Sequence, residues 1–150
     1  MRIHIYTVTI LLILAAALGC KGQDGESSAQ AALRSELETL EERLYNELGQ
    51  FETELNTAFA DNTNVFPSIE TAWTEIELIN PLDTHRESAF ATLDSNHIMI
   101  RANFSALRAA AVNRGFLAEY DALQPAAVEV RIADIFRDMR RVLTLYMEQQ

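Results

Sequence analysis

From residue 33 onward the chain places large apolar side chains at helical intervals. Leu33, Leu37, Leu40, Leu44, Leu48, Phe51, Leu55 and Phe59 stand 4, 3, 4, 4, 3, 4 and 4 residues apart, so they share one face of a helix. Two 4-3-4 blocks make an 11-residue period, about 3.67 residues per turn, which predicts a nearly straight or slightly right-handed packing stripe rather than a leucine-zipper supercoil. Self-association through this stripe stays open. The other face carries Glu36, Glu38, Glu41, Glu42, Glu47, Glu52 and Glu54, the composition of a solvated face. Ser27 or Ser28 is placed to cap the free amides at the start.

The turn ADNTNVFPS follows, and Pro67 suits the first position of a short second helix with Ile69, Trp73, Ile76 and Ile79 on one side. That helix is expected to end before Asn80-Pro81, because the residue ahead of a proline is pushed out of the helical region. Thr84 and Glu87 have the spacing of a capping box for a third helix. Its stripe is Phe90, Leu93, His97, Ile100, Phe104, Leu107 and Ala111, and Gly115 supplies the stop. Ala102, Ala106, Ala109 and Ala110 on the same helix would let a neighbour approach closely. After a loop through FLAEYDALQ, Pro125 opens the last helix, striped by Val128, Ile132, Ile135, Met139, Val142 and Tyr146.

Amphipathic helices cannot bury such stripes alone and must pack on one another. The expected fold class is therefore all-α, an antiparallel up-and-down bundle of three long helices plus one short helix. If Asn80-Pro81 only kinks a longer helix, a three-helix bundle results. Charge favours pairing of the first and third helices. Residues 28–60 carry seven glutamates against two arginines, whereas residues 84–114 carry four arginines against two acids.

Ahead of this region, MRIHIYTVTILL begins with Arg2 and runs into an apolar stretch from Ile5 to Leu18, broken only by Tyr6, Thr7 and Thr9. A positive start, a short apolar core and small residues before a cut site are the marks of a secretory signal peptide. The run is short of the roughly 20 apolar residues a spanning helix needs. Cys20, at its end, is the only cysteine and has no internal partner for a disulfide.

Ala17-Leu18-Gly19-Cys20 resembles the lipobox of bacterial lipoproteins, with Ala17 where leucine is favoured. The resemblance covers the leader alone. It implies that residues 1–19 are removed and that the Cys20 thiol carries diacylglycerol as the first residue of the mature chain. It also implies a membrane partner through acylated Cys20 and a location in the cell envelope. Lys21 follows the cysteine where, in some bacteria, aspartate retains lipoproteins in the inner membrane. By the same resemblance, the outer membrane facing the periplasm is favoured.

The chain is thus expected to divide into a signal peptide (1–19), an acylated cysteine with a flexible tether (20–28) and a helical bundle domain (29–150). The tether KGQDGESSAQ lacks apolar periodicity, and coil statistics give it a reach of about 15 to 20 Å. Without residues 1–19 the chain has 131 residues, enough for one domain with a core. Its 11 basic and 22 acidic side chains argue against nucleic acid, whose binding rests on neutralising phosphates with lysine and arginine.

Candidate chemistry is sparse. His97 falls on an otherwise apolar stripe. In an antiparallel pair it would lie 17 residues back from Arg114, while Met139 lies 14 residues forward from Pro125; that is roughly 25 and 21 Å along the axes. His97 and Met139 are the axial ligand types of haem, so a small-molecule or b-type haem site between these helices is the cofactor-binding alternative. The plainer reading is a histidine hydrogen-bonded in the core beside a space-filling methionine. Asp94 stands three residues before His97 and could orient its ring; as a metal pair the two leave a site incomplete. His85 belongs to a helix start. No nucleophile elbow, zinc-protease motif or phosphate loop occurs, and no enzyme activity, metal or catalytic residue is expected. The cluster RDMRR, Arg137 to Arg141, could touch anionic head groups or pair with acids of the neighbouring helices, the second being favoured. The expected role is non-catalytic: a membrane-tethered domain that binds an envelope protein or serves a structural role.

Overall fold

The computed structural model describes residues 27–60 and 78–149. Among these residues the regular elements are all helical: α1 (Ser28–Ala58), a 3-10 turn (Pro81–Asp83), α2 (Arg86–Arg114), α3 (Leu117–Ala122) and α4 (Pro125–Glu148). The all-α class follows. The leader with Cys20, most of the tether, and the short helix expected around Ile69, Trp73 and Ile76 lie outside the described residues.

Local chemistry sets the helix ends. At α1 the Ser27 hydroxyl accepts the Gln30 N–H at 3.2 Å, and the Gln30 side chain accepts the Ser27 N–H at 3.0 Å, a reciprocal capping box. The box expected at Thr84 and Glu87 does not form. Asn80 instead caps the 3-10 turn through the Leu82 N–H at 2.9 Å. The Thr84 hydroxyl donates to the Pro81 carbonyl at 2.8 Å. With Thr84 engaged by the preceding turn, α2 starts after His85, which makes no side-chain cap bond. Residues 78–80 are not helical, so Asn80-Pro81 is not a kink inside a helix.

Gly115 ends α2 at φ 79°. Its N–H bonds the Val112 carbonyl at 3.2 Å, and the Phe116 N–H bonds the Ala111 carbonyl at 2.9 Å, the paired bonds of a Schellman stop. Most of the expected loop FLAEYDALQ is then α3. A six-residue helix is too short to show a periodic stripe, and this one is held by a single aromatic. Tyr120 is buried, and its hydroxyl lies 3.5 Å from the Phe104 carbonyl. Gln124, at φ 54°, turns the chain into Pro125 at the first position of α4.

Cross-helix contacts give the directions. Gln30 and Arg34, at the start of α1, reach the Gln149 carbonyl (3.4 Å) and the Tyr146 hydroxyl (3.0 Å) at the end of α4. Farther along, Glu47 meets Arg131 at 2.8 Å. Helices α1 and α4 are therefore antiparallel. Arg86, at the start of α2, donates to the Met147 carbonyl at 2.9 Å, and Asp94 meets Arg140, so α2 is antiparallel to α4 as well. It follows that α1 and α2 run the same way, as the aromatic pairs Phe51 with Phe104 and Phe59 with Phe116 confirm. The cross-helix ion pairs accordingly join α4 arginines to acids of α1 and α2, not α1 to α2 as their opposite charges suggested.

One core runs through all of this. Leu37, Leu44, Leu48, Phe51, Leu55 and Phe59 of the first stripe are buried, with Leu33 and Leu40 packed at its margin. All six stripe residues assigned to the last helix are buried in α4, joined by Phe136, Leu143 and Met147.

Candidate functional site

On α2 the buried residues are Ala89, Leu93, Asn96, Ile100, Phe104, Leu107 and Ala111. Asn96, 4 % exposed, takes the core place expected for His97. Both fit the spacing, since Leu93 and Ile100 are bridged equally well by steps of three then four or four then three. A partner decides it: the Asn96 amide donates to the Ile79 carbonyl at 2.8 Å and its oxygen accepts the Ile79 N–H at 3.4 Å. A buried amide needs such satisfaction, and histidine could not supply both a donor and an acceptor in that geometry.

His97 is displaced to the flank of α2, half-buried, where its ring stacks on Phe136 of α4 at 4.5 Å between centroids and 11° between planes. It makes no hydrogen bond among the described residues. Asp94, expected to orient it, instead accepts from Arg140, because a guanidinium offers a charge-assisted bond that a neutral imidazole cannot. Burial lowers the His97 pKa below the ordinary histidine value, Arg101 lowers it further, and Asp94 opposes both.

The α4 residue facing His97 is thus Phe136, one turn nearer the connector than Met139. Helix α3 already turns the chain back beside the end of α2, so α4 starts below that end and the register shifts. Met139 is buried, 3 % exposed, in the core. His97 lines two shallow open hollows of about 240 and 250 Å³, one with Arg101 and Val130, the other with Phe136 and Arg140. Met139 lines neither. Small-molecule sites usually occupy about 300 to 1,000 Å³.

A wider open hollow of about 510 Å³ lies where the end of α1 meets the α3–α4 corner, with Thr53, Glu54, Thr57 and Gln124 on its walls. Both threonine hydroxyls already donate within α1, to the Gly49 and Thr53 carbonyls. Glu54 accepts from Gln50 at 3.0 Å.

The basic cluster is engaged in ion pairs. Arg137 meets Asp134 at 2.8 Å, Arg141 meets Glu36 at 3.3 Å, and Arg140 bridges to Asp94. Two further titratable groups are shifted. The Glu41 carboxyl is raised by burial, then by Glu38 and Asp83; the Tyr120 phenol is raised well above its ordinary value, chiefly by burial. Tyr120 and Asn96 are the structural polar residues that the periodicities missed. One lies in a helix too short to read, and the other shares a spacing with its neighbour. His85 is exposed.

Among the described residues, no three histidine, cysteine, aspartate or glutamate side chains gather as a metal site. No helix among them is long and apolar enough to cross a membrane. Compared with protein-family models, curated proteins and solved structures, the chain finds no match.

Proposed function

We propose that this chain is a bacterial lipoprotein whose helical domain, held at the membrane by acylated Cys20, has a non-catalytic binding or structural role in the cell envelope. The observation that carries the reading is the placement of Cys20 directly after Gly19, at the end of an apolar leader. In its finer form the domain is an antiparallel up-and-down bundle of three long helices and one short one. The opposite directions of α2 and α4, and of α1 and α4, agree with that arrangement.

A non-catalytic role is supported by where the side chains are used. The apolar stripes are consumed in one core, and arginines of α4 are engaged in ion pairs with acids of the neighbouring helices. The outer membrane facing the periplasm is the preferred location, and the partner sought is another envelope protein. The alternative, a haem or other cofactor held by His97 and Met139, has less to support it, since one side chain is stacked on Phe136 and the other lies in the core.

Two experiments test the reading. Incorporation of labelled palmitate into the wild-type chain, and its loss in Cys20→Ser together with release from the membrane fraction, is expected; unchanged membrane association would refute the anchor. Crosslinking in intact cells with mass-spectrometric identification should yield one dominant envelope partner, and recovery of nothing beyond the chain itself would remove the hetero-partner.

A further inference from the structure

The second half of α2 carries only positive charge. From Ser95 to Phe116 it contains Arg101, Arg108 and Arg114 and no aspartate or glutamate, in a chain of net charge −10. Arg101 and Arg108 are exposed and form no ion pair or hydrogen bond among the described residues. They stand seven residues apart and so line one edge of a single helical face. That face is apolar and exposed: Ile98 is 66 % and Val112 48 % accessible, with Ala102 and Ala109 between them. Beyond the arginine edge, Val130 of α4 is 61 % accessible and lines the same hollow as Arg101, beside half-buried Glu129.

Charge selects the occupant. A copy of α2 packed antiparallel and centred between Phe104 and Ser105 would set Arg101 against Arg108 of the copy. An in-register parallel copy of α2 would offer these arginines no acid. An anionic phospholipid surface supplies both the negative charge and the apolar boundary, the combination that interfacial helices use. We propose that the outer face of α2, centred on Ile98, Arg101 and Arg108, docks on an anionic phospholipid surface. The membrane setting rests on the lipid-anchor reading. A tether ending at Ser27 would hold that end of the domain about 15 to 20 Å from the bilayer, so that a weak contact by a domain lying on its side is strengthened by effective concentration.

The test uses the mature chain carrying Cys20→Ser, so that binding without the lipid is measured apart from acylation, which palmitate labelling reads independently. Flotation with vesicles of phosphatidylglycerol and phosphatidylethanolamine is expected, with little on phosphatidylcholine and a loss at high salt. Arg108→Glu should weaken binding by about fivefold or more. Arg43→Glu, the same charge change at an exposed site on α1, should weaken it by much less. Circular dichroism checks that both variants stay helical. The proposal is overturned by absence of flotation with the anionic vesicles, by equal flotation on both lipids, or by equal loss in the two variants. Specific binding of an acidic protein segment to this face without vesicle binding would also overturn it.

Discussion

Asn96 is tolerated in an apolar core because the Ile79 backbone meets its side chain with both a donor and an acceptor. Its replacement by alanine leaves both Ile79 groups without those bonds and should cost about 1 to 3 kcal/mol, read from urea unfolding. His97 gives a prediction of a different kind. Burial, then Arg101, favours its neutral ring, so its folded pKa lies below the unfolded one and the unfolded chain binds more proton between the two values. Stability should therefore fall as pH drops from the ordinary histidine pKa toward the folded one, and level off below it. An NMR titration should place the ring below the ordinary value, and the slope should be missing in His97→Gln. A folded pKa above the ordinary value would reverse the sign.

At the scale of elements, Phe51 ties three helices together. Its ring lies 5.1 Å from Phe104 of α2 and 6.3 Å, edge-on, from Tyr120 of α3. Phe51→Ala should cost about 3 to 5 kcal/mol, with a coupling to Phe104 of about 0.5 to 1.5 kcal/mol in a double-mutant cycle. By contrast, the exposed pair of Arg140 and Asp94 should couple by less than about 1 kcal/mol, so the cross-helix ion pairs set register more than stability. At the entry to α4, Gln124 occupies the left-handed region, where a side chain is disfavoured by about 1 to 2 kcal/mol. After the greater unfolded-state freedom of glycine is subtracted, Gln124→Gly should raise the thermal midpoint slightly, and a lowered midpoint would show that the glutamine side chain contributes more than the strain costs.

For the molecule as a whole, α4 packs against both α1 and α2, and α3 closes one end through Tyr120. Buried side chains of all four helices belong to one cluster, so no helix has a core of its own. Unfolding in urea should accordingly be a single transition, with circular dichroism and tyrosine fluorescence coinciding. Separate midpoints would mean that part of the bundle unfolds apart from this core.

The existence and faces of α1 and α4 were legible in the sequence because long stripes repeat a helical period enough times to leave one solution. Gly115 marked the end of α2 and Pro125 the start of α4 for the same local reason: each has a backbone preference that needs no partner. The lipobox resemblance is equally local, and it rests wholly on the leader. Tertiary structure alone decided the rest. Whether Asn96 or His97 enters the core depended on the Ile79 backbone 17 residues away, which no spacing records. Thr84 belongs to the preceding turn, where its hydroxyl donates to the Pro81 carbonyl, and α2 begins only after His85. The facing of Phe136 to His97, in place of Met139, came from α3, a helix too short to have a period, whose turn shifts the register of everything after it.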